Sequence, residues 1–428
     1  MAIPSKKVHM YPKLNSIPSL QTEQYNASDE EHLILTAKTD RGFFGLNELH
    51  DFFVKRLDSA IMQHSVKSII LDLSSVSMWD VSALLWMSIA FEYYLKISKK
   101  KEYSINLRLQ LPESKGMVGQ QRVDFQKSAD FLRRWGFAKV LCNMADTADD
   151  LLIDEQKGYF EQECEFYLPN EVEQDGILQE LMSLQLAEIR NLCNVNGVSI
   201  ELVNKVKLEF TAARFGDVLH NQCGFSKDVG SQFSNQILNE GIRNVKEHPH
   251  ASMGMVALGS LGRAKRLVLA VVDNGDPIPK TIYKQYLGTI KKKDPEQAKT
   301  LPATLPDAPQ LSSTLAYKLI VHATEPGVTR KSNGDEDESD QILLPFETDD
   351  TAQEHTPGYG LTYIRDDSTH PRTGFGGELI IASGGISVRF SRSLESEELS
   401  INEKNYGFPW PGNLIRVSIP IRRERDSS

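Results

Sequence analysis

Glu240, Asn244 and His248 fall at i, i+4 and i+8 within the stretch Ile237–His248, ILNEGIRNVKEH. Read as a helix, that spacing sets a carboxylate, an amide and an imidazole along one face. Phe233, Ile237, Leu238, Ile242 and Val245 recur at three- and four-residue steps on another face, as a packed helix requires. A carboxylate and an amide one turn apart can hold a metal ion and orient a water beside it. Three further stretches follow in order: VVDNGDPIP from Val271, GYGL from Gly358 and GELIIAS from Gly377. Asp273 closes the apolar run Leu267–Val272, so its carboxylate can face a pocket. Gly275 permits a tight turn after it. Gly358 and Gly360 let backbone N–H groups approach an anion at a helix start without a Cβ in the way.

Taken together, these motifs resemble the ATP-binding domain of the GHKL superfamily, which includes sensor histidine kinases, anti-sigma-factor serine kinases, gyrase B, Hsp90 and MutL. Glu240 and Asn244 match that family's N box. Asp273 and Gly275 match its first glycine box, and Gly358, Gly360 and Leu361 its second. The resemblance covers roughly the C-terminal two thirds and implies ATP and Mg²⁺ as ligands. It assigns Asp273 to the adenine amino group, Asn244 to Mg²⁺ as a hard oxygen ligand, and Glu240 to the attacking water or hydroxyl. Pro277 stands where the family often has a second glycine, which stiffens that loop. His248 reads as a capping or supporting residue.

The rest of the chain must position these groups. It has 428 residues, 40% hydrophobic and 25% charged, with a formal charge of −10. Such length allows two to three domains. The acidic balance argues against coating nucleic acid. Lys6 and Lys7 precede no apolar core, so the N-terminus does not read as a secretory signal. Val81–Phe91, the most apolar stretch, is about half the ~20 residues of a membrane span. Cys142, Cys164, Cys193 and Cys223 are far apart and read as reduced thiols. These features point to a cytoplasmic protein without a membrane segment.

Residues 1–25 read as an arm. From 26 to 143 strand and helix patterns alternate: strands at 32–39, 68–74 and 105–111, helices at 46–63, 80–97 and 130–135. This α/β unit resembles the STAS domain of anti-sigma-factor antagonists, through the strand Ile69–Leu73, the turn Asp80-Val-Ser-Ala-Leu84 and the ending FLRRWGFAKVL. By that resemblance Ser82 is a candidate phosphorylation site, at a helix start where a phosphate is favoured. Its alternative is a first-turn or capping role. Val81 and Ala83 replace the family's small Ser and Gly.

Residues 144–160 are acidic and read as a linker, and 161–428 as the ATPase domain. A strand at 165–169 and helices at 177–193 and 200–220 precede the N box. His220 is a weak phosphoacceptor candidate, because no basic residue and proline follow it as in a histidine kinase. Two hairpins, at 253–272 and 379–390, and a last strand at 414–421 supply a sheet. Between them lies an insert, 280–357, where the superfamily carries its ATP lid. The fold class is therefore α/β and α+β: a STAS-like α/β domain, then a GHKL (Bergerat) α/β sandwich.

Three functions fit these motifs. The chain cleaves Mg–ATP or passes its γ-phosphate to a protein serine, as in partner switching. Alternatively, ATP drives a dimerisation or conformational switch of the Hsp90/MutL kind without protein phosphorylation. Or the domain senses ATP without chemistry, which an intact Glu240 speaks against. A protein partner or self-association is implied in the first two.

Overall fold

The computed structural model describes residues 32–37, 39, 42–52, 56–57, 68–100, 105–112, 116–134, 220, 226–238, 240–241, 244, 254–261, 266–306, 311–328, 360–406 and 412–420. The arm, the linker, the strand read at 165–169, the helix at 177–193, nearly all of the helix at 200–220, His248, Gly358 and the four cysteines lie outside them.

The chain is mixed α/β. In the N-terminal unit, β1 (His32–Thr36), β3 (Ser68–Asp72) and β5 (Asn106–Gln110) form a parallel sheet in the order β1-β3-β5. Two-residue strands, β2 (Phe43–Phe44) and β4 (Met78–Trp79), pair beside it. Parallel neighbours need crossovers, and the helices α1 (Leu46–Phe52) and α2 (Val81–Lys100) lie on those connections. A third helix, α3 (Gly119–Arg134), follows β5. The sequence predicts only its last turn as helix, because most of its residues from Gly119 to Lys127 are exposed and carry little apolar periodicity.

The C-terminal unit is built on a six-stranded antiparallel sheet. It comprises β6 (Gly254–Leu261), β7 (Arg266–Asp273), β8 (Glu378–Ser383), β9 (Ile386–Arg392), β10 (Leu399–Asn405) and β11 (Asn413–Pro420). Their order is β10-β9-β8-β11-β7-β6. The β8–β9 hairpin turns on Gly384 (φ 61°) and Gly385 (φ 93°), two successive positive φ angles that suit a two-residue turn.

Alternation along the strands gives this sheet two buried faces. Leu267, Leu269 and Val271 of β7, with Ile415, Val417 and Ile419 of β11, point to the front. There they meet Phe233, Ile237 and Leu238. These three follow α4 (Lys227–Gln232) in a wider π turn, Phe233–Leu238. The front also receives α5 (Ile278–Lys293) and α7 (Ser313–Ala323), with the short α6 (Pro295–Thr300) between them. Thus the first half of the 280–357 insert is a packed helical layer; residues 329–359 lie outside the described set.

Val268, Ala270, Val272 and Leu414 point to the back and join one core with the N-terminal unit. The element that meets them is α2, in which every residue from Val81 to Phe91 is buried. A helix apolar all round must be covered all round; α2 is covered by its own sheet and by the back of the larger one. Among the described residues no helix is long and apolar enough to cross a membrane.

Candidate functional site

Glu240, Gly241 and Asn244 are helical and lie just beyond the π turn. Gly241 sits close against the sheet: a Cβ there would lie 3.1 Å from Cγ2 of Val271. That approach presses the helix onto the front of β7, two residues before Asp273. Asp273 shares the face of Val271, since side chains two apart on a strand point the same way.

Gly360 opens α8 (Gly360–Thr369). A Cβ on it would fall 2.5 Å from Oε2 of Glu240 and 3.8 Å from Nδ2 of Asn244. Three of the residues singled out from sequence therefore converge at the start of one helix. Glu240 is buried. Asn244 Nδ2 is buried without a hydrogen-bond partner. Leaving such a group unpaired costs about 1–3 kcal/mol, so this amide is suited to a polar ligand. Leu361, next to Gly360, packs at the edge of the front core.

Asp273 is buried at the end of β7. Its Oδ1 accepts from Gly275 N at 2.8 Å, so Gly275 closes a tight turn. It also accepts from Asn413 Nδ2 at 2.9 Å. Asn413 is the register partner of both Asp273 and Ser383, which makes a polar row across three strands. Ser383 Oγ donates to Asn413 Oδ1 at 2.6 Å, and Ile278 N donates to Ser383 Oγ at 2.8 Å. Asn413 Nδ2 also reaches Asp276 O at 3.0 Å. The loop after Asp273 is thereby fixed. Pro277 ends it as the cap of α5, with φ −58° and ψ 139°. Ser383 ends the GELIIAS stretch, but Asn413 carries no motif signal; the register of the last strand against β7 and β8 reveals its place beside both.

Ser82 lies elsewhere. It is fully buried at the second position of α2. Its Oγ donates to Asp80 Oδ1 at 2.5 Å, and its N–H to the same oxygen at 2.9 Å. Asp80 thus caps α2. Its other oxygen, Oδ2, accepts from Arg416 Nη2 of β11 at 3.2 Å, while Arg416 Nη1 reaches Glu378 at 3.3 Å. Ser82 therefore stands at the seam between the units, on the back of the sheet that carries Asp273 on its front. His220 is helical and half-buried.

Among the described residues no group of three or more His, Cys, Asp or Glu side chains could hold a metal by itself. An ion that keeps several waters needs fewer protein ligands; the unpartnered Asn244 Nδ2 is a donor, suited to a water or phosphate oxygen and not to the cation itself. Comparison with protein-family models, with curated proteins and with solved structures found no match.

Proposed function

We propose that residues 161–428 form a GHKL-type domain that binds Mg–ATP and cleaves it, or transfers its γ-phosphate to a protein serine. The observation that carries this reading is the meeting of Glu240, Asn244 and Gly360 at the first turn of α8. A buried carboxylate, an unsatisfied amide and a helix start free of Cβ bulk are what a metal-bound triphosphate calls for. Bound magnesium, held by Asn244, would neutralise phosphate charge. Glu240 orients the attacking water or hydroxyl and takes its proton. Asp273, held by Asn413 and Gly275, accepts from the adenine amino group. Gly360, with Gly358 and Leu361, cradles phosphate.

The burial of Ser82 favours hydrolysis, or phosphorylation of a separate partner, over phosphorylation of Ser82 itself. In the docked arrangement its hydroxyl is committed to Asp80 and shielded from solvent. Ser82 becomes a substrate only after α2 leaves the sheet. The STAS-like reading of residues 26–143 rests on the parallel β1-β3-β5 sheet and the Asp80-capped α2.

Titration of the purified chain with ATP and GTP, with and without magnesium, tests the reading. Magnesium-dependent preference for ATP is expected; equal or absent binding of both nucleotides refutes it. Incubation with γ-labelled ATP then separates the branches. Free phosphate without labelled protein supports hydrolysis or an ATP-driven switch, and label lost in Ser82→Ala identifies that serine as an acceptor.

A further inference from the structure

The C-terminal end of α7 is tied to the first turns of α8. A helix ends with carbonyls that have no partner within it. Here Thr324, which follows α7, has a carbonyl that accepts two hydrogen bonds from α8: Thr362 Oγ1 at 3.0 Å and Arg365 Nη1 at 2.9 Å. Thr362 and Thr324 are both buried. A cation at a helix C-terminus is favoured by the helix dipole as well.

Arg365 is itself braced. Its Nε and Nη2 donate to the two oxygens of Asp366 at 2.9 and 3.0 Å, and Asp366 Oδ1 takes a further bond from Arg392 Nη2 of β9 at 2.8 Å. The guanidinium is therefore presented to Thr324 in a fixed plane. Thr362 is two residues beyond Gly360, whose α-carbon lies against Glu240. A shift of α8 along its axis would change the Gly360–Glu240 gap directly.

We propose that Thr362 and Arg365, acting through the carbonyl of Thr324, are positioning residues that fix the first turn of α8 against Glu240 and Asn244. The proposal rests on the nucleotide-site reading for its functional consequence, though not for the clamp itself. Neither residue touches the reacting groups. Loosening the clamp costs the phosphate-dependent share of affinity and spares the share due to the base.

The test uses the full chain with Thr362→Val, Thr362→Ser and Arg365→Met, each checked by circular dichroism. Affinities for ATP and for adenosine are measured side by side. Thr362→Val and Arg365→Met should weaken ATP about five- to tenfold while adenosine stays within about twofold, the loss expected from one hydrogen bond. Thr362→Ser, which keeps the hydroxyl, should match the wild type. Equal weakening of both ligands, or none, overturns the proposal, because a general loss of structure would not alter the ratio selectively. Hydrogen exchange without nucleotide is the second measurement. Amides of residues 360–369 should exchange faster in Thr362→Val than in Thr362→Ser, and identical exchange overturns the clamp. A wild type that binds neither ligand would refute the nucleotide reading, while the exchange data still decide the clamp.

Discussion

The α-carbon of Gly360 lies so near the carboxylate of Glu240 that a methyl group placed on it would sit 2.5 Å from Oε2. Real Cβ atoms do not come that close, so any side chain at 360 displaces either the carboxylate or α8. Gly360→Ala should therefore keep the fold and lower ATP turnover by about a hundredfold or more, the scale of a misplaced catalytic group. Glu240→Gln, which keeps the volume and removes the base, should reduce turnover comparably while ATP binding survives. Steady-state rates and direct binding on both variants check this. Wild-type turnover in either one would remove that residue from the site.

Asn413 is the other test of the site, because its side chain bonds to Asp273, Asp276 and Ile278 together. Asn413→Leu leaves Asp273 Oδ1 with Gly275 N and strips Ile278 N of one acceptor. Thermal melts should report a loss of about 1–3 kcal/mol, the cost of leaving buried partners unpaired. If Asp273 reads the adenine amino group as proposed, discrimination between ATP and GTP should narrow as its orientation loosens. Unaltered discrimination would mean that Asp273 does not read the base.

Across the seam, Arg416 bridges Asp80 of the N-terminal unit and Glu378 of β8, with the side chains of Arg416 and Asp80 only 8% and 7% exposed. Arg416→Met takes the shared cation from two carboxylates, leaving Asp80 with Ser82 and Glu378 with Arg389, and should destabilise the chain by about 1–3 kcal/mol. Asp80→Asn in the same background should restore part of that loss. A denaturant double-mutant cycle measures the coupling, and strictly additive losses would mean the bridge holds nothing.

How far these arrangements could be read from sequence depended on whether one segment contained the signal. The β7 run and the Gly384-Gly385 hairpin are local patterns, and both stand within a residue or two of their expected bounds. The convergence of Glu240, Asn244 and Gly360 was legible only as a set of motifs. The sequence does not predict β10: Leu399–Asn405 is a polar edge strand whose residues are mostly exposed, and its apolar alternation stops after Leu399 and Ile401. The helix α5 was hidden by prolines at its start, although Ile278, Ile282, Tyr283 and Tyr286 keep helical spacing and are buried. The π turn at Phe233–Leu238 brings Phe233, Ile237 and Leu238 to one buried face. Ordinary helical periodicity does not distinguish it from an α-turn. The docking of α2 on the larger sheet had a signal in its uniform apolarity, whose second partner lies far away in sequence.

Asp367 offers a pH test that needs no ligand. Burial, and the neighbouring charge of Asp366, push its carboxyl up to about 6. Asp366 itself is pushed up by burial, but the guanidiniums of Arg365 and Arg392 outweigh that and hold it below the usual range. Asp367 Oδ2 is buried without a partner, so its charged form gains no hydrogen bond at that atom. In the unfolded chain an aspartate ionises near 3.9. Between that value and about 6 the folded state holds a proton that the unfolded state has released. Its contribution is fully present below the unfolded value and is lost as pH rises through the folded one. Asp367→Asn removes this penalty. The variant should therefore be more stable than the wild type at pH 7, by about 1–2 kcal/mol once solvent screening is allowed for. The difference should shrink on acidification and vanish near pH 4. Urea melts of both proteins from pH 4 to 7.5 measure it, and a gap that stays constant across the range would show that Asp367 titrates like an exposed aspartate.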